Sequence, residues 1–77
     1  MLGDEIRKAR LAAKLTQEQL AFEAEISRNY VSLLELNQKS PTVDVLLRIA
    51  RAVGVRASAL IAAIEDKPSR SDGRRIR

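Results

Sequence analysis

Apolar residues recur along most of the chain at spacings of three and four, the period of a helix that buries one face. In the fourth such stretch, for example, Val43, Leu46, Ile49 and Val53 fall on one side of a helix. The pattern predicts five helices, joined by short connections as in a compact helical bundle. Their expected bounds are residues 2–13, 17–24, 28–36, 43–53 and 57–65.

Residues that commonly cap helices stand at the predicted helix ends. Thr16 precedes the second helix and Gln19 follows three positions later, which is the capping-box arrangement. Ser27 and Thr42 hold the equivalent position before the third and fourth helices. Gly54 is placed to end the fourth helix in a left-handed conformation.

The segment "EAEISRNY", residues 23–30, contains neither Gly nor Pro, so one continuous helix over 17–36 is the alternative to a break. A continuous helix would bury Ser27 in the apolar stripe and turn Ile26 away from it. A break reverses both, because Ser27 then caps the third helix and Ile26 packs beside that cap as a hydrophobic staple. We therefore expect a turn after Ala24.

Composition restricts the chemistry that this chain of 77 residues can perform. It has no Cys and no His, which excludes disulfides, thiolate chemistry and imidazole catalysis and leaves no usual zinc ligand set. Only Phe22 and Tyr30 are aromatic, so a core must come from Leu, Ile, Val and Ala. We expect an all-α protein that is not an enzyme and has no cofactor or small-molecule substrate. We also expect it to be cytoplasmic, because no apolar stretch reaches membrane-spanning length.

The net charge of +4 is unevenly distributed. Residues 1–66 contain nine basic and nine acidic residues, whereas residues 67–77 contain five basic residues and only Asp72 as an acid. We therefore predict a folded domain over 1–66 and a flexible basic tail over 67–77. The tail is either a solvated extension or an arm that binds phosphate.

Two short helices joined by a tight turn form a helix-turn-helix, whose second helix can enter the major groove of DNA. The side chains expected on the outward face of helix 28–36 are Arg28, Asn29, Ser32 and Leu33. Arg can pair with guanine, Asn with adenine, Ser with either, and Leu can contact a thymine methyl. The alternative is that these residues form only a solvated polar face of the helix.

The segment from Ile6 to Val55 resembles the helix-turn-helix domain of the phage repressor and Cro family, also called XRE-like. The short stand-alone regulators of that family, including restriction-modification controller proteins, resemble it most. The resemblance rests on elements in fixed order: Ile6 and Arg10, "LTQ" with Leu20-Ala21, Ile26-Ser27, "YVS" with Leu34-Glu35, "SPT" with Ile49-Ala50, and Gly54-Val55.

The resemblance implies a five-helix, lambda-repressor-like domain that binds double-stranded DNA as a homodimer on an inverted repeat. Such a regulator is encoded by a bacterium or a phage and acts at the nucleoid. It represses by occluding a promoter or activates by contacting RNA polymerase through the acidic second helix, where Glu18, Glu23 and Glu25 lie. A protein-interaction module of antitoxin type, using Leu33 and Leu36, is the competing interpretation.

The resemblance also implies roles for individual residues. Arg28, Asn29, Ser32 and Leu33 would contact bases, and the phosphate contacts would come from Gln17, Ser27, Tyr30, Asn37, Lys39 and Ser40. Arg10 and Glu35 match a pair that forms an inward salt bridge, with Arg10 oriented toward phosphate as the alternative. Tyr30 would either lie against DNA or pack against Phe22.

Two further expectations concern turns and assembly. Lys14, Glu25 and Asn37 stand where the family commonly has Gly, and a left-handed backbone there disfavours a Cβ. Apolar positions around the last helix either complete the core or form a dimer interface, and we favour the interface. The candidates are Leu47, Val55, Ile61 and Ile64.

Overall fold

The computed structural model of the chain describes residues 1–65, and the predicted tail lies outside them. The described residues form five helices and no strand, which confirms the predicted all-α architecture. The first and third helices each end one residue earlier than expected. The helices are α1 (Leu2–Ala12), α2 (Gln17–Ala24), α3 (Arg28–Glu35), α4 (Val43–Val53) and α5 (Ala57–Glu65).

Side-chain caps begin three of the helices, as the sequence predicted. The Thr16 hydroxyl accepts from the Gln19 backbone N–H at 3.0 Å, and the Gln19 carboxamide accepts from the Thr16 N–H at 2.8 Å, completing the capping box. Ser27 accepts from the Tyr30 N–H at 3.0 Å, and Thr42 caps α4 in the same way. Each such cap contributes about 1 kcal/mol of stability.

A left-handed residue follows each of the first four helices, and three of these four residues are not glycine. At the turn between α2 and α3, the left-handed Glu25 is followed by Ile26, whose N–H donates to the Ala21 carbonyl at 2.9 Å. This bond from one residue beyond the left-handed position is the Schellman arrangement. It confirms the break after Ala24. The φ angles are 62° at Lys14, 61° at Glu25, 61° at Asn37 and 78° at Gly54.

The core lies where α1 to α4 meet, and α5 packs onto α1 and α4. Leu60 of α5 is buried against Leu46 and Ala50 of α4. Val43 was expected on the same buried face, but it is 75% exposed because it occupies the first position of α4. The largest fully buried side chains are Ile6, Leu20, Val31, Leu34 and Ile49.

The N-terminal end of α1 sits closely against the C-terminal end of α3. The Gly3 N–H donates to Asn37 Oδ1 at 2.9 Å. A Cβ on Gly3 would lie 2.6 Å from that same oxygen, 2.9 Å from the Glu35 carbonyl oxygen and closer still to the Leu34 carbonyl oxygen. Only a residue without a side chain allows this approach.

Within the described residues, no helix has the length and apolar character needed to cross a membrane.

Candidate nucleic-acid interface

The two faces of α3 differ sharply in burial. Val31 and Leu34 have 0% and 1% of their surfaces exposed, so they fix one face of the helix in the core. Arg28 and Asn29, in the first turn, are exposed on the opposite face. Ser27, which caps the helix immediately before them, is exposed as well, so the start of α3 presents three accessible polar residues in succession.

The other two predicted base-contacting residues are less accessible than the first two. Ser32 and Leu33 are half-buried, whereas Arg28 and Asn29 are exposed. Exposure therefore decreases along the face predicted to meet bases, and the most accessible groups lie at the N-terminal end of α3. Leu36, just after the helix, is 60% exposed.

Arg10 and Glu35 form a buried ion pair between α1 and α3. Arg10 Nε lies 2.6 Å from Glu35 Oε2, and Arg10 Nη2 donates to Glu35 Oε1 at 3.1 Å. The third donor, Nη1, binds the Leu15 carbonyl at 2.8 Å. The guanidinium is thus directed inward, toward Glu35 and the backbone that precedes α2.

Gln17 and Asn37, both predicted to bind phosphate, also have partners inside the protein. Gln17 Nε2 donates to Glu35 Oε1 at 3.1 Å, which joins the first residue of α2 to the last residue of α3. The Asn37 side-chain oxygen accepts from Gly3. Neither contact was predicted, because partners so far apart in sequence leave no local pattern.

The remaining phosphate candidates lie around this face. Lys39 and Ser40 are exposed on the loop between α3 and α4, and Ser27 is exposed while capping α3. Tyr30 is half-buried and packs against the main core cluster. Phe22 remains 81% exposed, so it does not supply the packing surface that was one alternative for Tyr30.

A shallow depression separates the N-terminal ends of α2 and α3. The residues that line it are Arg10, Thr16, Gln17, Glu18 and Arg28. The negative charge of Glu35 offsets that of Arg10, and the negative charge of Glu18 offsets that of Arg28. The site therefore carries little net charge. It is suited to hold an anion by directed hydrogen bonds, including those from the backbone N–H groups that begin α2.

Exposed apolar side chains occur where a dimer interface was predicted. Leu47 is 46% exposed, Val55 39% and Ile61 43%, while Leu60 beside them is 5% exposed and belongs to the core. These three residues are therefore partly accessible on the surface around α5. The side chain of Ile64, the fourth candidate, lies outside the described part of the chain.

The fold and the exposed first turn of α3 together define a helix-turn-helix domain. The chain belongs to the helix-turn-helix family HTH_3, of XRE type, which matches residues 6–60. This is a family of DNA-binding transcriptional regulators of repressor and controller type.

Two relatives illustrate the range of the family. The chain is 37% identical over 60 residues to the immunity repressor protein of Bacillus phage phi105, covering 78% of this chain and 42% of the relative. It is 32% identical over 62 residues to control protein C.BamHI of Bacillus amyloliquefaciens, covering 79% and 76% of the two chains. The chain therefore spans about two-fifths of the phage repressor and most of the control protein.

Solved structures show the same architecture. The restriction-modification controller protein C.AhdI from Aeromonas hydrophila aligns with a TM-score of 0.74 at 32% identity, covering 77% of this chain and 89% of the controller. The clp gene regulator ClgR from C. glutamicum aligns with a TM-score of 0.78 at 26% identity, covering 88% and 91%. The predicted resemblance to repressors and controllers is confirmed.

Proposed function

We propose that this chain is a sequence-specific transcriptional regulator that places α3 in the major groove of double-stranded DNA. The observation that carries the proposal is the exposure of Arg28 and Asn29 on a helix whose other face, Val31 and Leu34, is buried. Arg28 would donate to guanine O6 and N7, and Asn29 would pair with adenine N6 and N7. Ser32 and Leu33, being half-buried, would contact only bases that come close to the helix.

Phosphate contacts on both sides of α3 would hold it in the groove. The N-terminal ends of α2 and α3 present backbone N–H groups, and the following loop adds Lys39 and Ser40. Such contacts set the position of the helix without selecting a sequence. The side chains we propose for this role are Gln17, Ser27, Tyr30, Asn37, Lys39 and Ser40.

We further propose a symmetric homodimer that reads an inverted repeat. One recognition helix covers few base pairs, and two helices reach half-sites about 34 Å apart. The exposed Leu47, Val55 and Ile61, together with Ile64, would form the self-complementary contact. The regulator would act in the cytoplasm, in the manner of a controller protein, by occluding a promoter or by contacting RNA polymerase through Glu18 and Glu23 of α2.

Selection of bound fragments from random duplex DNA tests the DNA-reading proposal. The wild type should enrich a defined inverted repeat. Arg28→Ala and Asn29→Ala should each relax the preference at one position per half-site, since a bidentate base contact discriminates by about 1–3 kcal/mol. Arg7→Ala is the matched control, because Arg7 is an exposed arginine on α1, and it should leave the preferred sequence unchanged.

Failure of the wild type to enrich any sequence at low salt would contradict this proposal. The exposed Leu36 would then favour the protein-interaction alternative. Assembly is tested separately by sedimentation. Ile61→Lys should give a monomer, whereas Phe22→Lys, which adds the same charge at an exposed apolar site on α2, should remain dimeric. A dimeric Ile61→Lys protein would rule out this interface.

A further inference from the structure

The Glu35 carboxylate joins three helices through both of its oxygens. Oε2 accepts from Arg10 Nε at 2.6 Å, and Oε1 accepts from Arg10 Nη2 and from Gln17 Nε2, each at 3.1 Å. Glu35 ends α3, Arg10 belongs to α1 and Gln17 begins α2. The carboxylate is buried, with a side-chain exposure of 3%, so it offers a fixed acceptor rather than a mobile surface charge.

This acceptor determines which end of the Gln17 carboxamide points inward. An ionised carboxylate only accepts hydrogen bonds, so it binds the amide nitrogen of Gln17 and repels the amide oxygen. Nε2 carries two hydrogens, and Glu35 accepts one of them, which leaves the second able to be donated elsewhere. Without Glu35, the Gln17 side chain would be free to rotate about its three χ bonds.

The other partner in the network keeps the acceptor itself in place. Arg10 binds both oxygens of Glu35 and also the Leu15 carbonyl, two residues before Gln17 in the chain. The backbone that carries Gln17 and the carboxylate that orients it are therefore held by one guanidinium. Since Arg10 also neutralises Glu35, the carboxylate adds no net negative charge where an anion would bind.

We propose that Glu35 is a positioning residue for phosphate binding. It holds the Gln17 carboxamide with an N–H available to a DNA phosphate in the depression that Gln17 shares with Arg28. This proposal rests on the proposed function, in which Gln17 contacts phosphate. Its benefit is preorganisation, because a side chain that is already ordered loses less freedom when it binds.

The test neutralises one phosphate at a time in the DNA that the selection experiment recovers. Methylphosphonate linkages are placed singly around a half-site, and affinity is measured by fluorescence anisotropy. At one linkage the wild type should lose about tenfold in affinity, the effect of losing a hydrogen bond to a charged acceptor. Gln17→Ala should bind more weakly to unmodified DNA and lose little further at that linkage.

Two variants then remove the carboxylate. Glu35→Gln should reduce the penalty at the Gln17-dependent linkage, but it leaves Arg10 without its buried partner and risks unfolding. The double variant Arg10→Met/Glu35→Leu fills the same space with apolar side chains, a replacement that buried ion pairs tolerate. In this double variant, the methylphosphonate at that linkage should lower the affinity by about twofold or less. Adding Gln17→Ala to the double variant should change its affinity for DNA little.

The control is a surface arginine–carboxylate pair on α4, Arg48 with Asp44, at 2.6 Å. Arg48→Met/Asp44→Leu should keep the full wild-type penalty at the Gln17-dependent linkage. If Arg10→Met/Glu35→Leu also keeps that penalty, Glu35 has only a structural role and the inference is wrong. If no linkage shows a Gln17-dependent penalty in the wild type, the proposed Gln17 contact fails, and the inference fails with it.

Discussion

Replacing Glu25 by Gly should stabilise the protein, because Glu25 adopts a backbone conformation that disfavours a side chain. Its φ and ψ are 61° and 43°, in the left-handed region. A residue with a Cβ loses about 1–2 kcal/mol there, whereas Gly loses about 0.5–1 kcal/mol more chain entropy on folding. Glu25→Gly should therefore raise the free energy of unfolding by about 1 kcal/mol.

The structure gives no compensating role to the Glu25 side chain. It is exposed, and within residues 1–65 it forms no hydrogen bond or ion pair. The backbone N–H of Glu25, which donates to Ala21 and Phe22, is retained by Gly. The substitution thus removes strain without removing a contact.

Urea unfolding followed by circular dichroism measures the effect, at one fixed protein concentration because a dimer is expected. The urea midpoint should rise with an unchanged m-value, and the Tm in thermal unfolding should increase by about 4–8 °C. Glu25→Ala is the control, because it shortens the side chain but keeps Cβ, and it should stay within about 0.5 kcal/mol of the wild type. Equal stabilisation by Ala and Gly would trace the gain to the lost carboxylate instead.

Asn37 provides a second comparison at the same φ of 61°. Asn tolerates the left-handed region better than Glu, and its side chain accepts a hydrogen bond from Gly3 that is worth about 1 kcal/mol. Asn37→Gly should therefore fail to stabilise the protein or should destabilise it. An unchanged or lower stability of Glu25→Gly would refute the strain argument at Glu25.

Three further predictions follow from burial and charge. Gly3→Ala should destabilise the domain by about 2 kcal/mol in urea unfolding, because the new Cβ meets backbone carbonyls that cannot move aside easily. Phe22→Ser should change the free energy of unfolding by no more than about 0.5 kcal/mol, since Phe22 is 81% exposed; a large loss would place Phe22 in the core. Removing residues 67–77 should reduce the salt dependence of DNA binding without changing the selected sequence. An altered sequence would show that the tail reads bases.

The helices and their caps could be predicted because their determinants are local. Thr16 and Ser27 lie next to the helices they cap, and the break after Ala24 followed from what Ser27 and Ile26 would each do in either conformation. Two long-range contacts could not be predicted in the same way. The bonds from Gln17 to Glu35 and from Gly3 to Asn37 depend on how whole helices pack, and neither needs a particular spacing along the chain.

For the same reason, only part of the candidate site could be predicted from the sequence. Helical periodicity placed Arg28 and Asn29 on the outward face of α3, and both are exposed. Periodicity alone could not show that Ser32 and Leu33 are half-buried, because their exposure depends on the neighbouring elements. The identity of the bases that Arg28 and Asn29 would read depends on how α3 lies in the groove, which no residue pattern fixes.

The contacts between α1 and the end of α3 also bear on how the domain unfolds. A helix of eight residues is unstable in isolation, and α3 has no more than that. Its C-terminal end is secured to α1 through Glu35 and through Asn37, which bonds a residue 34 positions away in the chain. Backbone amides of α3 should therefore exchange with solvent only when α1 also opens, so that the two helices share one opening free energy. The face of α3 that we propose contacts bases would then form in the same cooperative event as the fold itself.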